Sequence, residues 1–163
     1  RRMPFPLKTT EDIREIWPEN KPLFFRVSAV DNISGGISIE DTVKLAKELK
    51  LHGVDVIDCS SGGMSGPSTL PREKMKRGFQ IPYSEKIKKD SDVNTMAVGL
   101  IIEAEQAENI LKNNQADLIA LAREMISDSN WAFRAAKNLG LDNPYEILPD
   151  SYAFYLKVRD ENL

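Results

Sequence analysis

The chain has 163 residues, 41% hydrophobic and 29% charged, which is typical of one soluble globular domain with a core of its own. Its net charge of −3 argues against nucleic acid as a partner, no apolar stretch is long enough to span a bilayer, and we expect a cytoplasmic protein. A single cysteine, Cys59, and a single histidine, His52, exclude an internal disulfide and argue against a zinc site, so we predict no bound metal.

The apolar pattern predicts four strands that alternate with helices. Each strand is a nearly continuous apolar run, typical of strands covered on both faces, and the four lie at residues 23–30, 54–59, 95–102 and 116–121. Helices are expected at residues 10–17, 39–51, 104–114 and 131–139, with a short one at 124–126 and a final one within 149–163. Ser38 and Asp41 form a plausible capping box, and Lys86, Lys88 and Lys89 read as the solvated face of another helix.

Strands that alternate with helices predict an α/β fold with a parallel sheet built from crossover connections. Four such units form either a small open sheet or half of a (β/α)8 barrel. In a barrel, functional residues lie at the C-terminal ends of the strands, and a phosphate site often follows the last two strands. We therefore expect the binding residues at the strand ends.

Arg26 occupies an unusual place, inside the first predicted strand in the run FRVSAVD. A guanidinium stays charged in a protein, and burying one without a partner is costly. Two interpretations remain open from the residues alone. Arg26 either forms a structural ion pair, with Asp58 of the next strand as the candidate partner, or contacts a ligand.

The other candidate residues lie where strands two to four end. Ser61 and Gly62 follow the second strand, where small residues let backbone N–H groups approach an anion. The same residues are also typical of an ordinary loop after a strand. Gly99 interrupts the third strand, which indicates that another group approaches the backbone there. Arg123 follows the fourth strand, so Gly99 and Arg123 are predicted to converge on one anion.

The remaining polar residues are assigned structural roles, with one exception. His52 lies at a helix end, where a cation suits the helix dipole, and Cys59 is read as a small buried residue because no histidine is placed to activate it. The exception is the irregular, basic segment 64–78. A long loop at this end of a barrel strand is expected to cover a ligand or to meet a negatively charged substrate.

Several motifs occur together in the order found in one family: FRVSAVD, GVDVIDCSSGG, GFQIPYSEKIK, AVGLI with QAENIL, and ADLIALARE. Over nearly its whole length the chain resembles the C-terminal half of the old yellow enzyme-type, FMN-dependent NAD(P)H:flavin oxidoreductases. The resemblance lies in the branch of the bacterial ene-reductases and their 2,4-dienoyl-CoA reductase relatives. The resemblance implies FMN as cofactor, NADH or NADPH as reductant, and an enone or enoyl-type substrate.

The resemblance also implies a role for individual residues. Arg26 matches the arginine that contacts the pyrimidine side of the flavin, where a cation favours the reduced ring. Gly99, Ala122 and Arg123 match the residues that hold the FMN phosphate, although the family usually has Gly where this chain has Ala122. Ser61 and Gly62 are expected near the ribityl chain or the phosphate.

Other family features are missing from the sequence. The family's substrate-binding histidines and its tyrosine proton donor come from the first four strands, so we predict no catalytic residue in this chain. The resemblance therefore implies one region, residues 1–163, that forms strands five to eight of a TIM barrel whose N-terminal half is absent from this chain. Two open sheet edges are normally covered, so we expect association with that half or with another copy as a homo-oligomer.

These observations are consistent with three alternative functions. The first is the FMN-binding part of an enzyme that reduces activated C=C bonds, which would be inactive as this chain alone. The second is a non-catalytic half-barrel module that binds FMN or phosphate. The third is another phosphate-binding barrel enzyme, such as an aldolase or isomerase, which would fit Gly99 and Arg123 but not Arg26.

Overall fold

The computed structural model describes residues 2–62 and 76–163. Its elements in chain order are α1 (Pro4–Ile16), β1 (Phe24–Ser28), α2 (Ile39–Leu51), β2 (Val56–Ser60), α3 (Ile81–Ser91), β3 (Asn94–Ala97), α4 (Ala104–Lys112), β4 (Leu118–Ile119), α5 (Arg123–Ser127), α6 (Trp131–Asn138), a 3₁₀ turn (Pro144–Ile147) and α7 (Asp150–Asp160). The predicted alternation of strands and helices is confirmed.

The four strands form one parallel sheet in the order β1-β2-β3-β4, so the chain has the predicted α/β fold. In the register of this sheet, Arg26 of β1 lies opposite Asp58 of β2, and Asp58 lies opposite Met96 of β3. Because all strands are parallel, their C-terminal ends meet at the same edge of the sheet, which brings four loops together there.

Helix α2 shows how the sequence sets an element locally. It occupies the predicted residues, Ile39–Leu51, and the capping box is present: the Asp41 N–H donates to Ser38 Oγ at 3.3 Å, and the Ser38 N–H donates to Asp41 Oδ2 at 3.2 Å. These hydrogen bonds from Ser38 lower the pKa of the Asp41 carboxyl. Two donors of the first turn are thereby satisfied, which fixes the start of the helix.

The main core lies on one face of the sheet only. Val27 of β1 and Ile57 of β2 pack there with Val43 and Leu49 of α2 and with Ile87 of α3. A second cluster joins β3 to α4 and α6, and it consists of Ala97, Ile101, Ala107, Ile110 and Ala116, with Trp131 packed against it. Burial of these side chains is the main driving force that holds the helices on the sheet.

The prediction that the strands are covered on both faces is wrong for β1. Its side chains alternate, with Val27 buried and Phe24, Arg26 and Ser28 exposed. Phe24 is 43% exposed and Leu118, on the same face of β4, is 41% exposed. In β2, by contrast, Val56–Cys59 are all buried, as predicted. The helices pack on the other face of both strands, and the two differ because β1 is an outer strand whereas β2 lies between β1 and β3.

Strands β3 and β4 end earlier than predicted. The structure ends β3 at Ala97 instead of near residue 102, because the backbone turns at Gly99 with φ +111°. It ends β4 at Ile119, and α5 begins at Arg123. The predicted short helix is therefore present, with slightly wider bounds than expected.

Lys88 departs from its expected role as a solvated residue of α3. Its ammonium lies 2.6 Å from Asp117 Oδ1, and its side chain is only 17% exposed. Asp117 Oδ2 also accepts a hydrogen bond from the Thr95 N–H at 2.8 Å. The pair therefore joins α3 to the starts of β3 and β4, at the N-terminal ends of the strands.

The predicted final helix is confirmed as α7. Tyr145 Oη donates to Asp160 Oδ2 at 2.8 Å, and Lys137 Nζ donates to the same oxygen at 2.6 Å, so α6, the 3₁₀ turn and α7 are joined through one carboxylate. Within residues 2–62 and 76–163, no helix combines the length and the hydropathy needed to cross a bilayer. Those same residues contain no cluster of three or more metal-ligating side chains.

Candidate functional site

A cavity of about 1090 Å³ lies at the C-terminal ends of the strands. Its volume lies slightly above the usual range for pockets that hold small molecules and cofactors, about 300–1,000 Å³. All six predicted binding residues line it: Arg26, Ser61, Gly62, Gly99, Ala122 and Arg123. Residues far apart in sequence are thus brought to one place by the parallel sheet.

Arg26 forms the ion pair with Asp58 that was considered from the sequence, and it also lines the cavity. Its Nη1 lies 2.7 Å from Asp58 Oδ2, and its Nη2 donates to Ser60 Oγ at 3.1 Å. The expectation of a buried arginine is wrong, because the Arg26 side chain is 59% exposed, whereas that of Asp58 is only 11% exposed. A largely buried carboxylate therefore holds an accessible guanidinium at the cavity wall.

Ser61 and Gly62 lie immediately after β2, and their backbone N–H groups have partners within the chain. The Ser61 N–H donates to the side-chain oxygen of Gln80 at 2.6 Å. The Gly62 N–H points to Val30 O at 3.5 Å. Both residues line the cavity, but the donor that Ser61 could offer to an anion is already engaged.

Gly99 lies two residues beyond the end of β3, not in the middle of the strand as predicted. Its φ of +111° is a conformation that residues with a side chain rarely adopt. A Cβ at this position would lie 2.5 Å from the side-chain amide of Gln80 and 3.1 Å from the Phe79 ring. The predicted close approach to the Gly99 backbone is therefore confirmed, and Gln80 and Phe79 are the groups that approach.

Ala122 and Arg123 lie where β4 passes into α5. Ala122 is the N-cap residue of this short helix, with φ −114° and ψ −79°, and Arg123 is the first residue of the helix. The Arg123 side chain is exposed and lines the same cavity as Gly99. Gly99 and Arg123 therefore line one cavity, and their convergence on an anion stays a prediction.

Arg2, Phe79 and Gln80 are among the cavity residues that were missed from the sequence. Arg2 lines the cavity, and its Nη2 donates to Gly35 O at 2.9 Å. Phe79 and Gln80 also line it, and both belong to the run GFQIPYSEKIK. A polar residue between an aromatic residue and Ile-Pro, just before a helix, was the signal available in the sequence.

The structural roles predicted for Cys59 and His52 are confirmed. Cys59 is fully buried, and burial, with a smaller effect of the Asp58 charge, raises the pKa of its thiol to about 12. His52 caps α2, with Nδ1 at 2.7 Å from Glu48 O and Nε2 at 3.2 Å from Glu11 Oε1. Neither residue lines the cavity.

The predicted ligand-covering segment 64–78 lies outside the described residues except for its last three positions. Among those, Arg77 Nη1 lies 3.2 Å from Glu103 Oε1, and the Gly78 N–H donates to Gly99 O at 3.0 Å. The end of this segment is therefore joined to the loop after β3.

The chemistry of the cavity wall suits a ligand with an anionic end and a flat polar ring. Arg26 of β1 and Arg123 at the start of α5 supply two cations, and Ser61 supplies a hydroxyl. Val98 and Phe79 supply apolar surface between these polar groups. Arginine favours both phosphates and planar polar groups, because its donors are arranged in a fixed plane.

Comparison with known proteins agrees with this chemistry. Residues 1–142 match the model of the NADH:flavin oxidoreductase / NADH oxidase family. The chain is 41% identical over 145 residues to an NADPH dehydrogenase of Bacillus velezensis, which covers 88% of this chain and 40% of that protein. An NADPH dehydrogenase of a Geobacillus species is 43% identical over 128 residues, covering 78% of this chain and 36% of that protein.

A third relative, an NADPH dehydrogenase of Bacillus subtilis, is 39% identical over 139 residues, covering 84% of this chain and 39% of that protein. The chain thus spans about two fifths of the length of these relatives. The names of the family and of these relatives confirm the expected cofactors, FMN with NADH or NADPH. The extent of these matches shows that the chain belongs to the NADH:flavin oxidoreductase / NADH oxidase family.

Proposed function

We propose that this chain is the FMN-binding portion of an NAD(P)H-dependent oxidoreductase that reduces activated C=C bonds of enone or enoyl-type substrates. The observation that carries the proposal is the convergence of Arg26, Gly99 and Arg123 on one cavity at the C-terminal ends of the strands. The family assignment supports an oxidoreductase over the alternative of an aldolase or isomerase.

The residues of the cavity fit FMN. Arg123 offers a cation and the loop at Gly99 lines the same cavity, where the phosphate would be held with Ala122. Arg26 offers donors at the wall formed by β1, where the pyrimidine side of the ring would lie. Ser61 and Gly62 line the cavity wall where the ribityl chain would lie.

The role of this chain is to bind and tune the cofactor. Bound FMN supplies hydride transfer from NADH or NADPH to the activated double bond. The Arg26 guanidinium, held by Asp58 at 2.7 Å, would offer positive charge to the ring, and a cation there would favour the reduced, negatively charged flavin. Burial of Cys59 keeps the thiol out of this chemistry. We assign no proton donor to the chain.

We further propose that residues 1–163 are one region and that β1 to β4 are strands five to eight of a (β/α)8 barrel. Phe24 and Leu118 are exposed on the face that a closed barrel would bury, and β1 and β4 are the outer strands of the sheet. Exposed outer strands favour pairing with further strands. We propose that the partner is the N-terminal half of the barrel or a second copy of this chain in a homo-oligomer. We also propose that the protein is cytoplasmic.

A second function, a non-catalytic module that binds FMN or phosphate, is favoured by one observation. All six proposed binding residues line a cavity that this chain forms by itself. Such a module would bind the ligand without requiring residues from elsewhere.

The test is a fluorescence-quenching titration of FMN into the 163-residue chain, with the mass in solution measured on the same sample. Saturable binding is the expected result, and it would support FMN binding by these strands. The proposal is contradicted if the folded chain leaves FMN fluorescence unchanged both alone and after the N-terminal half of one of its relatives is added. Binding by an associated species, and not by a monomer, would support the homo-oligomer.

A further inference from the structure

Gln80 connects two of the loops that form the cavity. It is the N-cap residue of α3 and is only 4% exposed. Its side-chain oxygen accepts hydrogen bonds from the Ser61 N–H at 2.6 Å and from Ser61 Oγ at 2.8 Å. Its side-chain nitrogen donates to Val98 O at 3.3 Å. One buried amide therefore bonds to the loop after β2 and to the loop after β3.

These contacts lie where the sheet itself no longer connects the two strands. The last paired residues of β2 and β3 are Cys59 and Ala97. Ser61 and Val98 lie beyond that pair, so no ladder hydrogen bond holds them together. The Gln80 amide takes the place of the missing backbone hydrogen bonds and extends the connection into the cavity wall.

The same side chain fixes the environment of Gly99. A Cβ on Gly99 would lie 2.5 Å from the Gln80 amide, so the backbone of this loop rests directly against it. From the other side, the Gly78 N–H donates to Gly99 O at 3.0 Å. Gly99 is therefore held between two partners that follow each other closely in the sequence.

Removing the Gln80 amide would leave two backbone groups without these partners. The Ser61 N–H and the Val98 carbonyl, both on half-buried residues, would each lose a hydrogen bond to the buried Gln80 side chain. Such groups either remain unsatisfied or draw apart to reach water. In both cases the spacing between the two loops would change.

From this geometry we propose that Gln80 is a positioning residue, which sets the phosphate-binding end of the cavity by fixing Ser61 and Gly99 relative to each other. This inference rests on the proposed FMN site, and it concerns a residue to which that proposal gives no role. Gln80 acts through the two loops, since both ends of its amide are engaged by the protein.

The first experiment tests the bridge without any ligand. Hydrogen exchange of the Ser61 amide, followed by NMR, is compared in wild type, Gln80→Met and Gln80→Glu. Methionine has nearly the length of glutamine but cannot replace its hydrogen bonds. We expect about tenfold or faster exchange at Ser61 in Gln80→Met. Glutamate retains the acceptor, so Gln80→Glu should preserve most of the protection, and it keeps the test available if Gln80→Met does not fold.

A matched control is Gln115→Met, which makes the same change at a residue whose amide bonds to Glu85 on the exposed surface, at 3.0 Å. Ser61 exchange should be unchanged in this variant. An unchanged rate in Gln80→Met, or an equal increase in Gln115→Met, would overturn the proposed bridge.

The second experiment tests the consequence for the ligand, with FMN and riboflavin as probes. Riboflavin lacks the phosphate, so a change confined to the phosphate-binding end should affect FMN alone. We expect Gln80→Met to weaken FMN binding about tenfold and riboflavin binding by less than about twofold. Equal weakening of both ligands, or no change in either, would overturn the role at the phosphate. If wild type binds neither flavin, alone or with the N-terminal half of a relative added, the proposed function fails, whereas Ser61 exchange still decides whether the bridge exists.

Discussion

Arg26 and Asp58 lie opposite each other on neighbouring parallel strands, and their side chains meet at 2.7 Å. The second carboxylate oxygen, Asp58 Oδ1, is buried and has no hydrogen-bond partner among the described residues. The pair is therefore asymmetric: a buried anion orients an accessible cation. This arrangement makes the charge of Arg26 available to a ligand while keeping its position fixed.

Arg26→Ala should make bound flavin harder to reduce, because a positive charge that stabilises the reduced ring is lost. We expect the midpoint potential of a flavin-loaded protein containing this chain to fall by roughly 30 mV, which corresponds to about 1.4 kcal/mol for a two-electron couple. Spectroscopic redox titration provides the measurement. Lys112→Ala, which removes an exposed cation paired with Glu108, is the control. An equal potential in Arg26→Ala and wild type would leave only the structural role of the ion pair.

Asp58→Asn should act in the opposite direction. Removing the carboxylate charge leaves the positive charge of Arg26 uncompensated, so the reduced flavin is stabilised further and the potential rises. The same redox titration measures this shift. A lower potential in Asp58→Asn would mean that Asp58 acts mainly by holding Arg26 in place, with the loss of geometry outweighing the gain in charge.

Arg123→Ala should weaken FMN binding by roughly 1.5–3 kcal/mol, the usual range for a charge-assisted hydrogen bond to phosphate. Fluorescence-quenching titrations with FMN and with riboflavin measure the change. Riboflavin affinity should stay near its wild-type value, because the phosphate is missing. FMN binding that is unaffected by the substitution would contradict the phosphate assignment.

Cys59 should be inert towards thiol reagents in the folded chain. Its thiol is fully buried, and burial raises its pKa to about 12, so almost no thiolate is present at pH 8. We expect no labelling by iodoacetamide at pH 8 under native conditions and full labelling after denaturation, with mass spectrometry as the readout. Rapid native labelling would show that β2 is accessible in solution.

Asp160 should make the C-terminal helices sensitive to acid. Hydrogen bonds from Lys137 first and Tyr145 second lower the pKa of its carboxyl below the ordinary value of 3.8. Because the folded-state pKa is the lower one, the stabilisation is present above pH 3.8 and is lost as the pH falls through the folded-state value. Asp160→Asn should therefore unfold more easily than wild type at pH 7.

The difference between Asp160→Asn and wild type should shrink as the pH falls below 3.8, since the wild-type carboxylate then becomes protonated. Urea unfolding at several pH values measures it. Asp142→Asn, on the exposed surface, is the control and should match wild type throughout. A difference that does not vary with pH would rule out the ionised carboxylate as its cause.

The sequence by itself determined the order of the elements and the bounds of α2, since capping and helical periodicity are local properties. It also located six residues of the cavity, because parallel strands bring their C-terminal ends to one edge. The ends of the strands were predicted less accurately than the helix bounds. The sequence placed Gly99 inside β3, whereas it lies beyond the strand. Its positive φ depends on the packing of Gln80 and Phe79 against it and not on the neighbouring residues in the sequence.

Only the tertiary structure decided which side chains meet. The partners of Gln80 are 19 and 18 residues away, on loops that approach each other only because β2 and β3 pair side by side. The exposure of Arg26 and Phe24 likewise depends on which sheet face the helices cover. Such contacts join distant parts of the chain, and the free energy of burial that selects them is a property of the whole fold and not of any short segment.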